Sequence, residues 1–278
     1  MVEWRNNNKM AFFEQECFCI ITGASRGLGR SIAQLFAKEW GRRETRVNLI
    51  LLARSRRGLE ETRQLVEKES SSVRVHIVVA DLSDPVAFDN VSGQIRALVV
   101  EQKPPPSAQA VLVHNAGSLG DVTKWGSDVS ALEASAYMNL NFATFVGLTS
   151  CFLSQFEGRQ RFIINISSIL GSVPFPAFGL YGAGKAARDQ FLRVLCKEDP
   201  KLRVLSYSPG PCDTDMQEYL RTSVVNEEAR KNAQESYAKG QVLKPDQSIS
   251  KLIQLLEEDT YKNAEVVDYF DDGKPQGV

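Results

Sequence analysis

The sequence predicts a single-domain α/β fold: a doubly wound, mainly parallel sheet of seven strands with helices on both faces. Three observations predict it. From residue 18 almost to the end, short apolar runs alternate with amphipathic stretches, the pattern of repeated strand-helix-strand units. Several runs are apolar at consecutive positions, as strands covered on both faces require. The 278 residues are 43% hydrophobic and 24% charged, ordinary for a globule with ample chain to bury a core.

The elements follow in order. Residues 1–16 begin Met1-Val2-Glu3-Trp4-Arg5 and hold no apolar run long enough for a signal-peptide core or a membrane span. They read as a flexible leader of a cytoplasmic protein. Phe18–Thr22 is the first strand, and Leu28–Trp40 the first crossover helix, with Ile32, Leu35 and Phe36 on one face. Val47–Ala53 and Val73–Val79 are the next two strands. Lys103-Pro104-Pro105-Pro106-Ser107 directly precedes the strand Ala110–Val113, so it is a surface loop rather than a linker between domains. A helix begins near Glu133, and Phe162–Ile166 is the fifth strand. Tyr181–Lys197 is helical, with Phe191, Leu192 and Leu195 on one face; Val204–Ser208 and Ala264–Asp268 complete the sheet. One domain therefore spans residues 17–270, and residues 271–278 form a turn-rich, flexible tail.

Charge and cysteine usage narrow the function. Thirty-three Lys and Arg balance 34 Asp and Glu, leaving a formal net charge of −1. Nucleic-acid binding needs a clustered basic excess, which is missing. Five scattered Cys and two His disfavour a metal site or a disulfide framework.

The first chemical motif is Thr22-Gly23-Ala24-Ser25-Arg26-Gly27-Leu28-Gly29, a glycine-rich turn from strand to helix. Glycines let backbone approach a pyrophosphate, and free N–H groups at the helix start hold the anion. The fold is thus of the Rossmann type, and residues 23–29 are expected to bind a dinucleotide. At the end of the second strand, where an acid would accept a ribose 2′-hydroxyl, stand Arg54 and Ser55. An acid there repels a 2′-phosphate; Arg54, helped by Arg26, attracts it, so NADPH is expected over NADH. Asp81 and Leu82 after the third strand border the adenine or cap a helix, and Asn115, Ala116 and Gly117 end the fourth strand, where open sheets bind ligands. His114 beside them reads as a packed residue.

The second motif is Tyr181-Gly-Ala-Gly-Lys185, a phenol and an ammonium at i and i+4 on one helix face. A cation beside a phenol favours the phenolate, which makes the phenol a usable proton donor to a carbonyl attacked by hydride. Ser168 stands upstream, placed to hydrogen-bond the same carbonyl, while Ser167 should point to the other side of the strand. Asn141, with Asn139 as competitor, is a candidate to hold a water that relays protons to Lys185.

With these motifs in order, the chain resembles the short-chain dehydrogenase/reductase superfamily over nearly its whole length. Within it, Asn115-Ala-Gly-Ser-Leu-Gly-Asp-Val-Thr-Lys124, Tyr181-Gly-Ala-Gly-Lys-Ala-Ala-Arg-Asp189 and Ser208-Pro-Gly-Pro-Cys-Asp-Thr-Asp-Met-Gln217 resemble the sepiapterin reductase family. The resemblance implies a cytosolic homodimer that reduces pterin side-chain carbonyls with NADPH: 6-pyruvoyl-tetrahydropterin to tetrahydrobiopterin, and sepiapterin to dihydrobiopterin. It gives Ser168, Tyr181, Ile169 and Gly210 to the substrate, and Lys185 to the nicotinamide ribose. Cys212, Asp213, Thr214, Asp215, Met216 and Gln217 become a loop over the cofactor, with Thr214 against the carboxamide. Asp268 becomes the anchor of the 2-amino-pyrimidinone edge, to which a carboxylate can present two parallel acceptors. Two positions depart from the family pattern, His114 for an Asn and Cys212 for an aliphatic residue. A broad NADPH carbonyl reductase of small diketones, with no use for Asp268, is the alternative, and a non-catalytic NADPH-binding regulatory protein a more distant one.

Overall fold

The computed structural model describes residues 11–271, the side chains of residues 85–87 apart. Seven strands form one sheet: β1 (Cys17–Thr22), β2 (Val47–Ala53), β3 (Val73–Val79), β4 (Gln109–His114), β5 (Arg161–Ile166), β6 (Arg203–Ser208) and β7 (Val266–Asp268). Their order is β3-β2-β1-β4-β5-β6-β7, and every neighbouring pair is parallel. The winding reverses between β1 and β4, and this switch opens a crevice beyond the strands' C-terminal ends.

The consecutive apolar runs have the expected cause. Along β1, Cys17, Cys19 and Ile21 face one core while Phe18 and Ile20 face the other. The first core is closed by α1 (Gly27–Arg42), α2 (Arg56–Glu69) and α9 (Pro245–Glu258), the second by α3 (Pro85–Gln102), α5 (Thr144–Gln155) and α6 (Gly179–Glu198). Between them in the chain lie α4 (Ala131–Met138), α7 (Asp215–Ser223) and α8 (Glu227–Ala238). Among the described residues no helix is long and apolar enough to cross a membrane.

Three expectations are corrected. The end of the presumed leader is part of the folded body: Phe12 and Phe13 are buried against Phe36, Trp40 and Phe162. Their carbonyls accept hydrogen bonds from Gln109 Nε2 at 2.5 Å and Thr45 Oγ1 at 2.7 Å. Two adjacent apolar residues without a period gave the sequence no reason to place them inside. Residues 1–10 and 272–278 lie outside the described residues, whereas Asp271 is tied to the Asp268 backbone. The last strand starts at Val266, not Ala264, because Ala264 takes a left-handed turn (φ 60) that no strand accommodates. The helix expected near Glu133 is present, starting at Ala131 under a Ser130–Glu133 capping box, and it then widens into a π-helical turn, Asn139–Ala143, before α5.

Candidate active site

The crevice is a cavity of about 1150 Å³ that runs from the glycine-rich turn, past the ends of β4 and β5, to Asp268 and Phe270. Its first wall is the β1–α1 turn. Gly23 has φ +66, and a Cβ there would lie 2.8 Å from Asn115 Nδ2; a Cβ on Gly29 would lie 2.3 Å from the Gly23 carbonyl oxygen. The turn closes only with glycine at both positions, and the resulting approach leaves the backbone bare on the cavity side. Asn115 fastens the crevice floor: its Nδ2 donates to the Thr22 and Gly23 carbonyls at 3.0 and 3.2 Å. The Thr22 hydroxyl accepts from the backbone N–H groups of Asn115 and Ala116, both at 3.0 Å.

Most of the sequence-assigned cofactor residues meet here. Gly23, Ser25, Arg26, Gly27 and Leu28 line the cavity; so do Arg54, Ser55, Asp81 and Leu82, then Asn115, Ala116 and Gly117. From the later loop come Cys212, Thr214, Asp215, Met216 and Gln217. Three assigned residues do not line it. Ala24 is fully buried, Gly29 serves the close helix–turn contact, and Asp213 pairs with Arg221 at 3.4 Å. Arg30, which the sequence reading passed over, lines the cavity and donates to the Ser25 carbonyl at 2.5 Å and to Glu61 at 2.9 Å, bracing the turn from behind.

The cations at this end are exposed and paired with acids. Arg54, with a 71% exposed side chain, lies 3.7 Å from Asp81, and Arg26, 68% exposed, pairs with Asp215 across the crevice mouth. Asp81 is held below the usual carboxylate range first by the Ser83 backbone and hydroxyl hydrogen bonds and then by Arg54.

At the other end Ser168, Tyr181 and Lys185 converge, with α6 presenting the last two from one face. Ser168 lines this end beside Tyr181, and its hydroxyl accepts from Leu170 N–H at 3.3 Å. Lys185 Nζ donates to the Ile166 carbonyl at 2.5 Å and sits 5.5 Å from the Tyr181 ring centre. Burial raises the phenol pKa, and the Ser168 hydroxyl and the Arg188 charge oppose it. Burial also pushes the Lys185 pKa down to about 7, with Arg188 adding to the fall and Asp189 opposing it.

Ser167 does face away, donating to Asp189 at 2.6 Å, and His114 is a buried residue bonded to Thr149 at 2.9 Å. Asn141 is buried beside the cavity rather than lining it. Its Oδ1 accepts from Ser118 N–H at 2.9 Å and its Nδ2 donates to the Tyr137 carbonyl at 3.0 Å, so the side chain assigned to a water already holds two backbone partners. Asn139 donates to the Ser83 carbonyl instead. Ile169, Gly210 and Asp268 all line the cavity. Asp268 accepts from the Ser208 hydroxyl, which in turn accepts from Ile169 N–H at 3.1 Å, so the acid is fixed relative to the Ser168 segment.

The model of the family described as short chain dehydrogenase matches residues 18–224. A sepiapterin reductase of Bos taurus is 38% identical over 91% of this chain and 94% of its own, and one of Xenopus laevis 37% identical over 91% and 95%. The crystal structure of the KRED1-Pglu enzyme superposes with a TM-score of 0.75 at 26% identity, covering 90% of this chain and 99% of that one. With a glycine-turn crevice that ends in the Ser168–Tyr181–Lys185 cluster, on a seven-stranded parallel sheet, the chain belongs to the short chain dehydrogenase family of oxidoreductases.

Proposed function

We propose that the chain reduces pterin side-chain carbonyls with NADPH, turning sepiapterin into dihydrobiopterin and 6-pyruvoyl-tetrahydropterin into tetrahydrobiopterin. One observation carries this reading: a single cavity joins the bare glycine turn, the Ser168–Tyr181–Lys185 cluster and Asp268. The identity to sepiapterin reductases over 91% of the chain supports the choice of substrate.

The dinucleotide supplies the hydride that reduces the carbonyl carbon. This chain's residues do the rest. Ser168 and Tyr181 grip the carbonyl oxygen by hydrogen bonds that strengthen as it gains charge, and Tyr181 delivers the proton. Lys185 holds the nicotinamide ribose, and Asp268 accepts the paired N–H groups of the 2-amino-pyrimidinone, fixing which carbonyl faces Tyr181. Arg54 and Arg26 leave their acids for the 2′-phosphate, favouring NADPH over NADH. Thr214 meets the carboxamide. Asn141 acts from behind the cofactor wall. Phe142 in the π-helical turn and Phe191 on α6, half-buried and edge to face with each other, fit a homodimer interface, and the working form is a cytosolic homodimer.

The test is NADPH oxidation followed by absorbance with sepiapterin and, separately, with a small diketone. Turnover of sepiapterin with a KM that rises in Asp268→Asn is expected. No turnover of sepiapterin, or an unchanged KM in that variant beside good diketone reduction, would give the chain to the broad carbonyl reductases.

A further inference from the structure

The turn that follows β7 carries an aromatic side chain that the fold leaves open. Phe270 is 63% exposed, more than any other Phe, Tyr or Trp among the described residues, and it lines the cavity. Ile169, Phe175 and Met216 are also large, apolar and exposed, and they line the same cavity. Apolar surface left open on a concave site marks the place of a ligand that covers it.

Phe270 differs from the other three in how firmly it is held. Asp268 Oδ1 accepts from Phe270 N–H at 3.0 Å, while Oδ2 accepts from the Ser208 hydroxyl. Asp271 closes the turn: its Oδ2 accepts from Asp268 N–H at 2.9 Å, and its own N–H donates to the Asp268 carbonyl at 3.0 Å. A Cβ on Gly210 would lie 3.3 Å from Phe270 Cε2, so the ring rests directly on that backbone. Tyr269 meets it edge to face, with ring centres 5.0 Å apart at 89°. Fixing an exposed side chain costs conformational entropy, and the burial of so little of its own surface does not offset that cost. Each oxygen of the Asp268 carboxylate also keeps a second lone pair for a ligand.

We propose that Phe270 is a specificity-determining residue of the reduction: the flat ring whose 2-amino-pyrimidinone edge is bonded by Asp268 stacks on the open face of Phe270. This deepens the proposed pterin reading and rests on it. The carboxylate and the phenyl ring stand two residues apart on one locked turn and recognise different properties of the substrate. The carboxylate selects paired N–H donors, and the ring selects a planar π system. A heterocycle held by both edge and face has few orientations left, which limits the directions its side-chain carbonyl can take toward Tyr181. An acyclic diketone has neither the edge nor the face and gains nothing from this turn.

Stacking of a heterocycle on an aromatic side chain is strong enough to read in kinetics. Phe270→Ala should raise the sepiapterin KM about tenfold while kcat stays within about twofold of wild type. Phe270→Trp keeps a π face and should hold the wild-type KM; Phe270→Leu keeps apolar bulk without that face and should stay severalfold weaker. Titration of sepiapterin into NADP-loaded protein, where no hydride is available, should rank the four proteins in the same order. Thermal melts check that each variant is folded. If Phe270→Ala does not fold, the Leu and Trp variants decide: a weakened Leu beside a wild-type Trp supports stacking. A Phe270→Leu equal to wild type overturns it. So does a wild-type sepiapterin KM in folded Phe270→Ala, and a changed mass by light scattering would then make the ring a contact between copies. These failures would leave sepiapterin turnover and the Asp268→Asn effect in place. A wild-type protein that does not reduce sepiapterin at all would remove the pterin reading itself, and the stacking with it.

Discussion

The two ends of the crevice use positive charge in opposite ways. At the dinucleotide end Arg26 and Arg54 are mostly exposed, and each already has an acid beside it, Asp215 and Asp81. At the reacting end Lys185 and Arg188 are buried, and what they touch is main-chain carbonyl oxygen. Exposed cations cost little to keep and can change partner, so they suit the capture of a ligand that comes and goes. Buried cations are costly and immobile, so they suit a fixed field around a proton transfer. Perturbation at the buried end should therefore act on kcat with cofactor binding intact, and perturbation at the exposed end on KM and its salt dependence.

The largest expected effect is at the buried end. Tyr181→Phe removes the proton donor and keeps the ring, and should lower kcat about a thousandfold, within the usual range for general acid catalysis, with NADPH titration unchanged. A variant as active as wild type would dissolve the division between the two ends. Ser168→Ala removes one hydrogen-bond donor to the carbonyl oxygen and should cost on the order of a hundredfold in kcat.

Asp268→Asn comes next. It keeps shape and the Ser208 hydrogen bond but offers one acceptor where the pterin edge wants two, so the sepiapterin KM should rise about tenfold. Reduction of a diketone should be unaffected, because that substrate has no such edge. Steady-state kinetics on both substrates check it.

The cofactor-free protein gives a test that involves no turnover. The folded Lys185 pKa, about 7, lies below its unfolded value, so between those pH values the unfolded state binds the extra proton. Stability should therefore rise as pH increases from about 7 toward about 10, and this gain should be smaller in Lys185→Met. Thermal melts at several pH values read it; equal slopes would mean that Lys185 is not paying for its burial.

How much of this was legible in the sequence divides along the same line. The sheet, its parallel order and the glycine turn could be read because they rest on local patterns: apolar runs, glycine spacing, strand-to-helix junctions. Tyr181, Lys185 and Ser168 were legible for the same reason, being close along the chain. Arg188 was missed although it extends the same helical face, because an arginine three residues beyond a lysine reads as solvated until its depth is known. Asn141 was found as a position, but its three engaged groups depend on a π-helical turn that has no sequence signature here. Phe12 and Phe13 were lost to the leader because what buries them, Trp40 and Phe162, lies far along the chain.

The smallest expected effect is at the exposed end, and it carries the salt signature. Arg54 must leave Asp81 to meet a 2′-phosphate, and its side chain is 71% exposed, so most of the attraction is exchanged or screened rather than gained. Arg54→Ala should raise the NADPH KM only about threefold to tenfold, leave kcat alone and narrow the preference over NADH. Since the Debye length shrinks from about 10 Å at 0.1 M to about 3 Å at 1 M salt, the wild-type NADPH KM should climb with ionic strength and that of the variant should climb less. Equal salt slopes in the two proteins would mean that the 2′-phosphate is held by groups buried in the crevice. Arg54 and Arg26 would then be ordinary surface residues, and the line between exchangeable and fixed charge would fall outside the cofactor site altogether.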